Sequence, residues 1–504
     1  MTDAATARPL PSTGALSGVL EGLAFFRDAD FARQRFERFG NVYETRLLGQ
    51  PLVFIRGGRA IGDLLAQPEA TEGWWPESVR QLLGSRSLAN RNGPDHRARR
   101  RVVGQLFSAA ALRRYSPAIV ALVEELSSDL RVARGPVPLV ERMRRFAFSV
   151  IATVVLGLEG DDREALFADF EIWTRALFSL PLALPGSPFA RALQARARLL
   201  ERLRTVLDRA RSQAAAGKAL AGGLDLLSGG LDEAGLPLGD DDLVEQLLLL
   251  LFAGYETTAS SLSCLMAALL ERPELLSWLR EELAGLSWPP SAAMAAQAYD
   301  AEAAPRLTAV VTEVMRLNPP VGGFFRRTTR ELVLDGVLVP AGRVVQVALA
   351  ASNRYSGDDS KGNGEATGDD SQRDGDGKGS NAPGNGHRSG KGDASSSGDG
   401  HSQPNRAGNA DDLERFRPER HLDGGSGLTL LPFGGGERVC LGKALAELEI
   451  RLMAVGLLRQ LELRLEPDQD LNLQLIPSPS PRGGLLVRAE PRASALRSGD
   501  QGRG

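Results

Sequence analysis

The segment 433–442 constrains this chain more than any other part of its sequence. It reads Phe-Gly-Gly-Gly-Glu-Arg-Val-Cys-Leu-Gly, and a helical run from Lys443 to Leu458 follows directly. Glycines lack a Cβ and let a backbone approach a flat group closely, while a helix N-terminus favours a thiolate over a thiol. Cys440 is therefore a candidate thiolate ligand for an iron held in a flat macrocycle. A Gly-rich turn with a buried structural cysteine is the alternative that the residues alone leave open.

Other residues of this loop suit the same chemistry. Gly436 and Gly442 would allow the close approach on either side of the cysteine. Arg438 would pair with a carboxylate of the macrocycle, and Phe433 would shield the sulfur from water. The loop is thus expected to contribute cofactor-binding residues as well as the metal ligand.

A basic run upstream offers further carboxylate-binding groups. His96 and Arg100 lie four residues apart, so they share a helix face. Together with Arg326 they are candidates for holding the carboxylates of a bound macrocycle. A solvated basic helix surface is the alternative interpretation.

Cysteine and histidine are scarce in this chain of 504 residues. Only Cys264 and Cys440 occur, which excludes a disulfide framework and fits a reducing cytosol. Four histidines leave few candidates for a multi-histidine metal site or a histidine-based triad. The net charge of −3 gives no overall attraction to nucleic acid or to an anionic membrane. Because the N-terminus lacks a basic segment followed by a long apolar stretch, we expect a soluble cytoplasmic protein. We also expect a monomer.

A polar, low-complexity stretch interrupts the chain from Ser356 to Ala410. It contains no Val, Ile, Leu, Met, Phe, Trp, Tyr or Cys, so it cannot bury apolar surface against the entropy of ordering it. We predict a disordered surface insertion within one domain rather than a linker between two domains. The expected organisation is an N-terminal tail at 1–17, a single domain formed by 18–355 and 411–488, the insertion at 356–410, and a C-terminal tail at 489–504.

Most of the remaining sequence has helical periodicity, and strand-like runs are short. The expected fold class is therefore mainly α with small β-sheets. Predicted helices include 110–131, 142–158, 191–211, 243–270 and 307–317. Predicted strands are 42–48, 52–55, 332–338, 344–349 and 484–488.

The longest apolar element, 243–270, follows the acidic run 240–242, which suits a helix N-terminus. Charged residues inside it make a membrane span costly, so we expect a helix buried in a large domain. Glu256 and Thr257 are candidate catalytic residues, because an acid beside a hydroxyl in an apolar helix can relay protons. Gly254 would make sense in mid-helix if the backbone opened there beside bound oxygen. Ordinary Thr packing is the alternative.

Glu313 and Arg316 lie three residues apart on a helix that ends at Asn318-Pro319-Pro320, so they can pair on one face. The spacing alone is weak evidence, since Glu77 and Arg80 share it and are expected to be an ordinary solvated pair. The Pro-Pro stop and the downstream segment 416–420 distinguish the first pair from the second.

Taken together, these segments resemble the cytochrome P450 family. The loop around Cys440 matches Phe-x-x-Gly-x-Arg-x-Cys-x-Gly at every fixed position, and 253–258 is similar to the family's oxygen-binding helix. The resemblance covers about 18–487 and implies a mainly helical triangular prism with haem b (heme b) bound through Cys440. It also implies a monooxygenase that inserts one atom of O2 into a C–H bond. Arg420 would complete a structural triad with Glu313 and Arg316.

Within the family, the chain looks most like the cyanobacterial enzymes related to animal retinoic-acid hydroxylases. The features that carry this likeness are 75–78, 178–181, 249–254, 319–323 and 477–479. Tyr255 departs from the His that related chains often have, and His421 replaces the usual Phe. The insertion at 356–410 is foreign to the pattern.

The resemblance favours a retinoid or isoprenoid-like substrate, and core packing is the alternative role for each residue proposed to line its pocket. These candidates are Trp74, Trp75, Phe178, Leu180, Val321, Phe324 and Ile476. Two electrons are expected from a separate ferredoxin or flavodoxin type donor with its reductase, near Arg99, Arg101 and Lys443. A non-catalytic haem-thiolate sensor stays open as an alternative, as do peroxygenase, desaturase and isomerase reactions on the same fold.

Overall fold

The computed structural model describes residues 6–14, 18–28, 31–47, 50–177, 179–220, 222–227, 229–291, 297–355, 410–422 and 430–492. The insertion predicted at 356–410 lies outside the described residues except for Ala410. Part of the predicted N-terminal tail is described and packs on the domain, because Arg8 forms a β-bridge with Val337 and Ser12 one with Glu44.

Helices dominate the described residues, which confirms the expected fold class. They are α1 (Gly18–Arg27), α2 (Phe31–Phe39), α3 (Gly58–Leu65), α4 (Glu77–Leu83), α5 (Gly93–Gly104), α6 (Ala109–Val132), α7 (Leu139–Val154), α8 (Gly160–Thr174), α9 (Pro188–Ala215), α10 (Asp240–Leu270), α11 (Pro273–Ala284), α12 (Pro305–Leu317), α13 (Leu349–Ser352), α14 (Ala410–Glu414) and α15 (Lys443–Gln460). The predicted helices are all among them, with ends that differ by a few residues.

The strands are short, as the sequence predicts. They are β1 (Val42–Leu47), β2 (Gln50–Ile55), β3 (Thr71–Gly73), β4 (Val137–Pro138), β5 (Gly323–Thr328), β6 (Leu332–Leu334), β7 (Val337–Val339), β8 (Val344–Ala348), β9 (Leu461–Leu465), β10 (Leu473–Gln474), β11 (Ser480–Pro481) and β12 (Leu486–Pro491). The run predicted as one strand at 332–338 is the hairpin β6-β7, because Asp335 and Gly336 turn the chain with φ of 46° and 72°.

The largest sheet has the strand order β1-β2-β8-β5-β3. β1 and β2 form an antiparallel hairpin, and β8 joins β2 in parallel and β5 in antiparallel orientation. At the far edge, Gly73 of β3 pairs with Arg326 of β5. The sheet therefore brings together two residues that are distant in sequence and that both belong to the site described below. The smaller sheets have the orders β4-β12-β9, β6-β7 and β10-β11.

α10 runs through the main hydrophobic core, where Val244, Leu247 and Leu251 are fully buried. It is long and apolar enough to cross a membrane, but 67% of its most apolar window is buried inside the protein. Its surroundings are those of a core helix, as the charged residues in its sequence predict.

Gly254 lies where α10 packs against α7. A Cβ at this position would lie 2.5 Å from Cγ1 of Ile151, which is closer than real side chains approach. The helix continues unbroken past Gly254, so the opening of the backbone expected there is not present. Close helix packing is the physical reason for this glycine.

Candidate active site

The loop before α15 presents Cys440 at the protein surface, with the sulfur itself partly withdrawn from water by the surrounding loop. Gly434 and Gly436 have φ of 71° and 66°, a conformation that L side chains rarely adopt. The amide of Cys440 donates to the carbonyl of Phe433 at 2.9 Å. This hydrogen bond closes the loop directly before Lys443, where α15 begins.

The surroundings of Cys440 shift the pKa of its thiol in opposite directions. Burial raises its pKa, whereas hydrogen bonds from the amides of Gly442 and Lys443 and the charge of Arg100 lower it. The helix N-terminus therefore contributes the amide donors that the sequence predicts, but burial outweighs them in the protein chain by itself. A metal cation would supply the missing positive charge, because metal binding favours the deprotonated thiol. A Cβ at Gly442 would make only ordinary contacts, the nearest at 3.5 Å from Phe107, so packing within the chain does not require glycine there.

Three arginines and one histidine gather beside this loop. Arg326 is 9% exposed, and burial beside Arg438 lowers its pKa to about 10. Burial also lowers the pKa of Arg438 and of Arg100. The pKa of His96 falls to about 4 because of burial and the charges of these arginines. Among the described residues, none of the three guanidinium groups has a carboxylate oxygen within 4.0 Å.

This cluster fits an anionic ligand that the chain itself does not provide. Nδ1 of His96 and Nε of Arg438 are buried without a hydrogen-bond partner in the described part of the chain. Buried polar atoms normally have a partner, and buried cations a counter-charge. The two propionates of haem b would supply both, next to a cysteine that can bind its iron. The residues present therefore fit this cofactor.

α10 has an open patch in its middle, where Ala253 is exposed and Thr257 is half-buried. The hydroxyl of Thr257 donates to the carbonyl of Ala253 at 2.6 Å. The carboxylate of Glu256 instead accepts a hydrogen bond from Nη2 of Arg144 on α7, at 2.9 Å. The two residues predicted to form a proton relay thus have separate partners, because consecutive side chains on a helix do not face each other.

Tyr255 belongs to an aromatic cluster on another face of α10. Its ring centroid lies 5.0 Å from that of Phe170, 6.3 Å from Phe167 and 6.5 Å from Phe148. Burial raises the pKa of its phenol, which keeps the group neutral. Tyr255 therefore contributes to the packing of α10 in this chain.

Glu313 and Arg316 form a fully buried ion pair on α12, with 2.7 Å between Oε2 and Nε. Nε of Arg420 donates to Oε1 of Glu313 at 3.2 Å, and Nε2 of His421 lies 2.7 Å from Oε2. Burial alone would raise the pKa of Glu313, but hydrogen bonds from Arg316, His421 and the Arg417 amide hold it at about 2. The geometry brings the predicted triad together and adds His421 to it.

The residues proposed to line a substrate pocket have different surroundings. Trp74 makes an edge-to-face contact with Phe325 at 5.3 Å, and Trp75 packs partly against the main core. The guanidinium of Arg326 lies 4.7 Å from the ring centroid of Phe324. Core packing is therefore the role that the contacts give to Trp74, while Phe324 borders the cation cluster.

The remaining pocket candidates are on loops. The exposed fractions of Leu180, Val321 and Ile476 are 66%, 41% and 47%. Leu180 lies between α8 and α9, on a surface loop rather than on an enclosed wall. Phe178 lies outside the described residues.

Arg99 does not lie on the basic surface expected to meet an electron donor. It is 6% exposed and pairs with Asp242 at 2.9 Å, as well as with Asp95 and Glu233. The acidic start of α10 holds this side chain in the interior. Arg101 and Lys443 are exposed.

Sequence reasoning missed the residues that hold Arg438. Oδ1 of Asn92 accepts hydrogen bonds from the Gly73 amide at 2.8 Å and from Nη2 of Arg438 at 2.5 Å. An Asn directly before Gly-Pro and a helix predicts only a helix cap. Nothing in the sequence links it to an arginine 346 residues away. Arg144 was missed for the same reason, since its contact with Glu256 crosses between two helices.

Comparison with known proteins gives matches over nearly the whole chain. The family model for cytochrome P450 matches residues 19–355 and 411–493. Cytochrome P450 120 of the cyanobacterium Synechocystis is 31% identical over 474 residues, which cover 93% of this chain and 94% of that protein. Cytochrome P450 26B1 of Danio rerio is 31% identical over 470 residues, or 92% of this chain and 83% of that protein.

A solved structure gives the same result. It is that of cyanobacterial CYP120A1 with retinoic acid bound, which matches with a TM-score of 0.77 at 30% sequence identity. The match covers 96% of this chain and 100% of that one.

Proposed function

The chain belongs to the cytochrome P450 family and is a P450 monooxygenase, and on this premise we propose that it hydroxylates an apolar molecule of retinoid or isoprenoid type. The observation that carries the proposed substrate class is the match to a retinoic-acid-bound structure over the full length of that chain. Exposed apolar side chains on the α8–α9 loop, such as Leu180 and Leu182, suit the approach of a long apolar molecule.

A haem b would be held by its iron and by its propionates. When bound, it activates O2 so that one oxygen atom can enter a C–H bond. Cys440 would ligate the iron. The other proposed haem contacts lie around Cys440. Those to the propionates are Arg438, Arg326, Arg100 and His96, and those from the Cys440 loop are Phe433, Gly436 and Gly442.

Thr257 and Glu256, in the open patch of α10, would supply protons to the reacting oxygen. We propose that the hydroxyl of Thr257 holds a proton at Oγ1, within reach of the site, because this hydroxyl lies on the accessible part of the helix. Glu256 would exchange protons with solvent, and it would have to leave Arg144 to deliver one. The catalytic roles of Thr257 and Glu256 are therefore distinct in this proposal.

The two electrons would come from a separate ferredoxin or flavodoxin type donor with its reductase. Arg97 and Arg101 on α5 and Lys443 at the start of α15 have exposed side chains. An acidic donor would be attracted to such a surface. Arg99 is not part of it because its charge is compensated in the interior.

The two cysteines provide the test of the haem site. Cys440→Ala should abolish the thiolate-type carbonyl band of the reduced protein, because no other described cysteine is accessible. Cys264→Ser is the matched control: Cys264 is buried, and its sulfur lies 3.4 Å from the carbonyl of Pro479, a contact that a serine hydroxyl can replace. Retention of the band in Cys440→Ala would contradict the assignment.

Substrate class is tested on the haem-loaded protein. Titration with retinoic acid should shift the spectrum of the ferric haem, and turnover with a reconstituted ferredoxin system should give a hydroxylated product. A shift with short aromatic acids but none with retinoic acid would overturn the proposed substrate. Product formed only with peroxide would favour a peroxygenase.

A further inference from the structure

Asn92 occupies the N-cap position of α5 but does not cap the helix. Its backbone is extended, with φ of −134° and ψ of 164°, and its side chain makes no cap hydrogen bond. Asn at this position normally accepts a hydrogen bond from an amide in the first turn. Because the side chain of Asn92 does not form this cap hydrogen bond, its contacts elsewhere need another explanation.

Oδ1 of Asn92 joins two segments that are far apart in sequence. It accepts from the amide of Gly73, at the edge of β3, at 2.8 Å. It also accepts from Nη2 of Arg438, in the Cys440 loop, at 2.5 Å. The same Nη2 donates to the carbonyl of Arg91 at 2.7 Å, so both acceptors of this nitrogen belong to the segment before α5.

Gly73 restricts Arg438 from the other side. A Cβ at position 73 would lie 2.5 Å from Cζ of Arg438 and 2.6 Å from Nη1. Only a residue without a side chain leaves room for the guanidinium here. With Nη2 held by Asn92 and Arg91, Nε is left buried and unpartnered. The guanidinium is therefore fixed with a free donor.

We propose that Asn92 is a positioning residue that orients Arg438 toward a haem propionate. This inference rests on the proposed haem site at Cys440. A guanidinium held in place before the cofactor arrives loses less freedom on binding, which strengthens retention of the haem. Its fixed positive charge near the macrocycle favours the reduced iron, which carries one more electron, and so raises the reduction potential.

The test compares Asn92→Ala with the matched control Asn90→Ala in haem-loaded protein. Asn90 lies in the same segment, where its amide donates to the carbonyls of Arg80 at 3.0 Å and Gly84 at 2.7 Å, not to Arg438. We expect haem to transfer from Asn92→Ala to excess apomyoglobin roughly tenfold faster than from the parent, as for loss of a hydrogen bond to a charged group. We also expect a more negative midpoint potential. Asn90→Ala should match the parent in both.

A double-mutant cycle decides whether Asn92 acts through Arg438. Arg438→Lys removes Nη2, so adding Asn92→Ala to it should leave the haem transfer rate and the potential nearly unchanged. Effects as large in that background as in the parent would overturn the proposal. An Asn92→Ala variant that loses thermal stability but keeps the haem transfer rate and potential of the parent would also overturn it. Failure of the haem site itself would appear in the parent, as the absence of a thiolate-type carbonyl band before any variant is compared.

Discussion

Among the described residues, the arginines around Glu313 and those around Arg438 form two clusters that are withdrawn from water, and they differ in how their charges are compensated. Around Glu313, one carboxylate receives hydrogen bonds from Arg316, Arg420, His421 and the Arg417 amide. Around Arg438, by contrast, the guanidinium groups have no carboxylate within ion-pair distance among the described residues. In both clusters, removing the charged groups from water costs free energy. Only in the first cluster does the chain itself supply the opposite charge.

The difference separates a structural cluster from a binding site. Burying an unpaired charge is unfavourable, so several uncompensated cations gathered at one place indicate a ligand that supplies the opposite charge. The Glu313 cluster should therefore matter to folding with or without cofactor. The Arg438 cluster should matter to the cofactor, and its charges should weaken the folded protein when the cofactor is absent.

Removing the carboxylate from the compensated cluster should have the largest effect. Glu313→Gln leaves Arg316 buried without its counter-charge, while Arg420 keeps only Asp412, at 3.0 Å. We expect a loss of about 3–5 kcal/mol in the free energy of unfolding. Urea unfolding followed by circular dichroism measures it. Failure to accumulate folded protein would agree with a loss of this size.

Glu77→Gln is the control, because Glu77 and Arg80 have the same sequence spacing but are both 53% exposed. We expect a change below about 0.5 kcal/mol there. Equal losses in the two variants would show that spacing rather than burial sets the strength of the pair.

The uncompensated cluster should make the haem-free protein sensitive to mild acid. The pKa of His96 is about 4 in the folded protein and 6.5 ordinarily, so the unfolded chain takes up the proton more readily. The free energy of unfolding should fall as the pH falls from 6.5 to 4, by up to about 3 kcal/mol. Bound propionates should reduce this loss, because their charge offsets that of the protonated ring.

Urea unfolding at several pH values, with His96→Phe as the comparison, measures this contribution. The variant should lose the decline over this range. Glu313 should contribute little here, since its folded pKa of about 2 and ordinary 4.5 place its stabilising effect above pH 4.5 and its loss at lower pH. An identical decline in parent and His96→Phe would contradict the assignment to His96.

The sequence could predict what depends on local pattern. Helical spacing placed Glu313 and Arg316 on one face, and the Gly-rich loop before a helix placed Cys440. The structure puts amide donors of Gly442 and Lys443 at the sulfur. In each case the partners lie within one helix turn or one loop, so periodicity and glycine position carry the information.

Local sequence pattern does not predict contacts between residues on different helices. The partner of Glu256 is Arg144, which lies on another helix. The sequence predicts a surface position for Arg99, whereas in the structure it pairs with Asp242 in the interior. For Gly254 the sequence suggests an opening of the helix backbone beside bound oxygen, whereas the close approach of Ile151 accounts for this glycine. Each of these depends on which helices pack together, which a single sequence does not specify.

The smallest effect is expected from replacing 356–410 by a short Gly-Ser linker. Arg316 holds both sides of this segment: its Nη1 donates to the carbonyls of Asn353 at 3.0 Å and Leu413 at 2.8 Å. The compensated cluster thus joins the two flanks through described residues. Since the insertion has no large apolar side chain, its removal should leave the core contacts unchanged.

We therefore expect unchanged haem content and a free energy of unfolding that is equal or higher, by on the order of 1 to 2 kcal/mol from the shorter loop. Thermal unfolding and the carbonyl spectrum measure both. If the segment influences function, it should do so through access of the electron donor, so ferredoxin-driven turnover would change while peroxide-driven turnover would not. Loss of haem, or equal loss in both assays, would show that the segment is part of the fold.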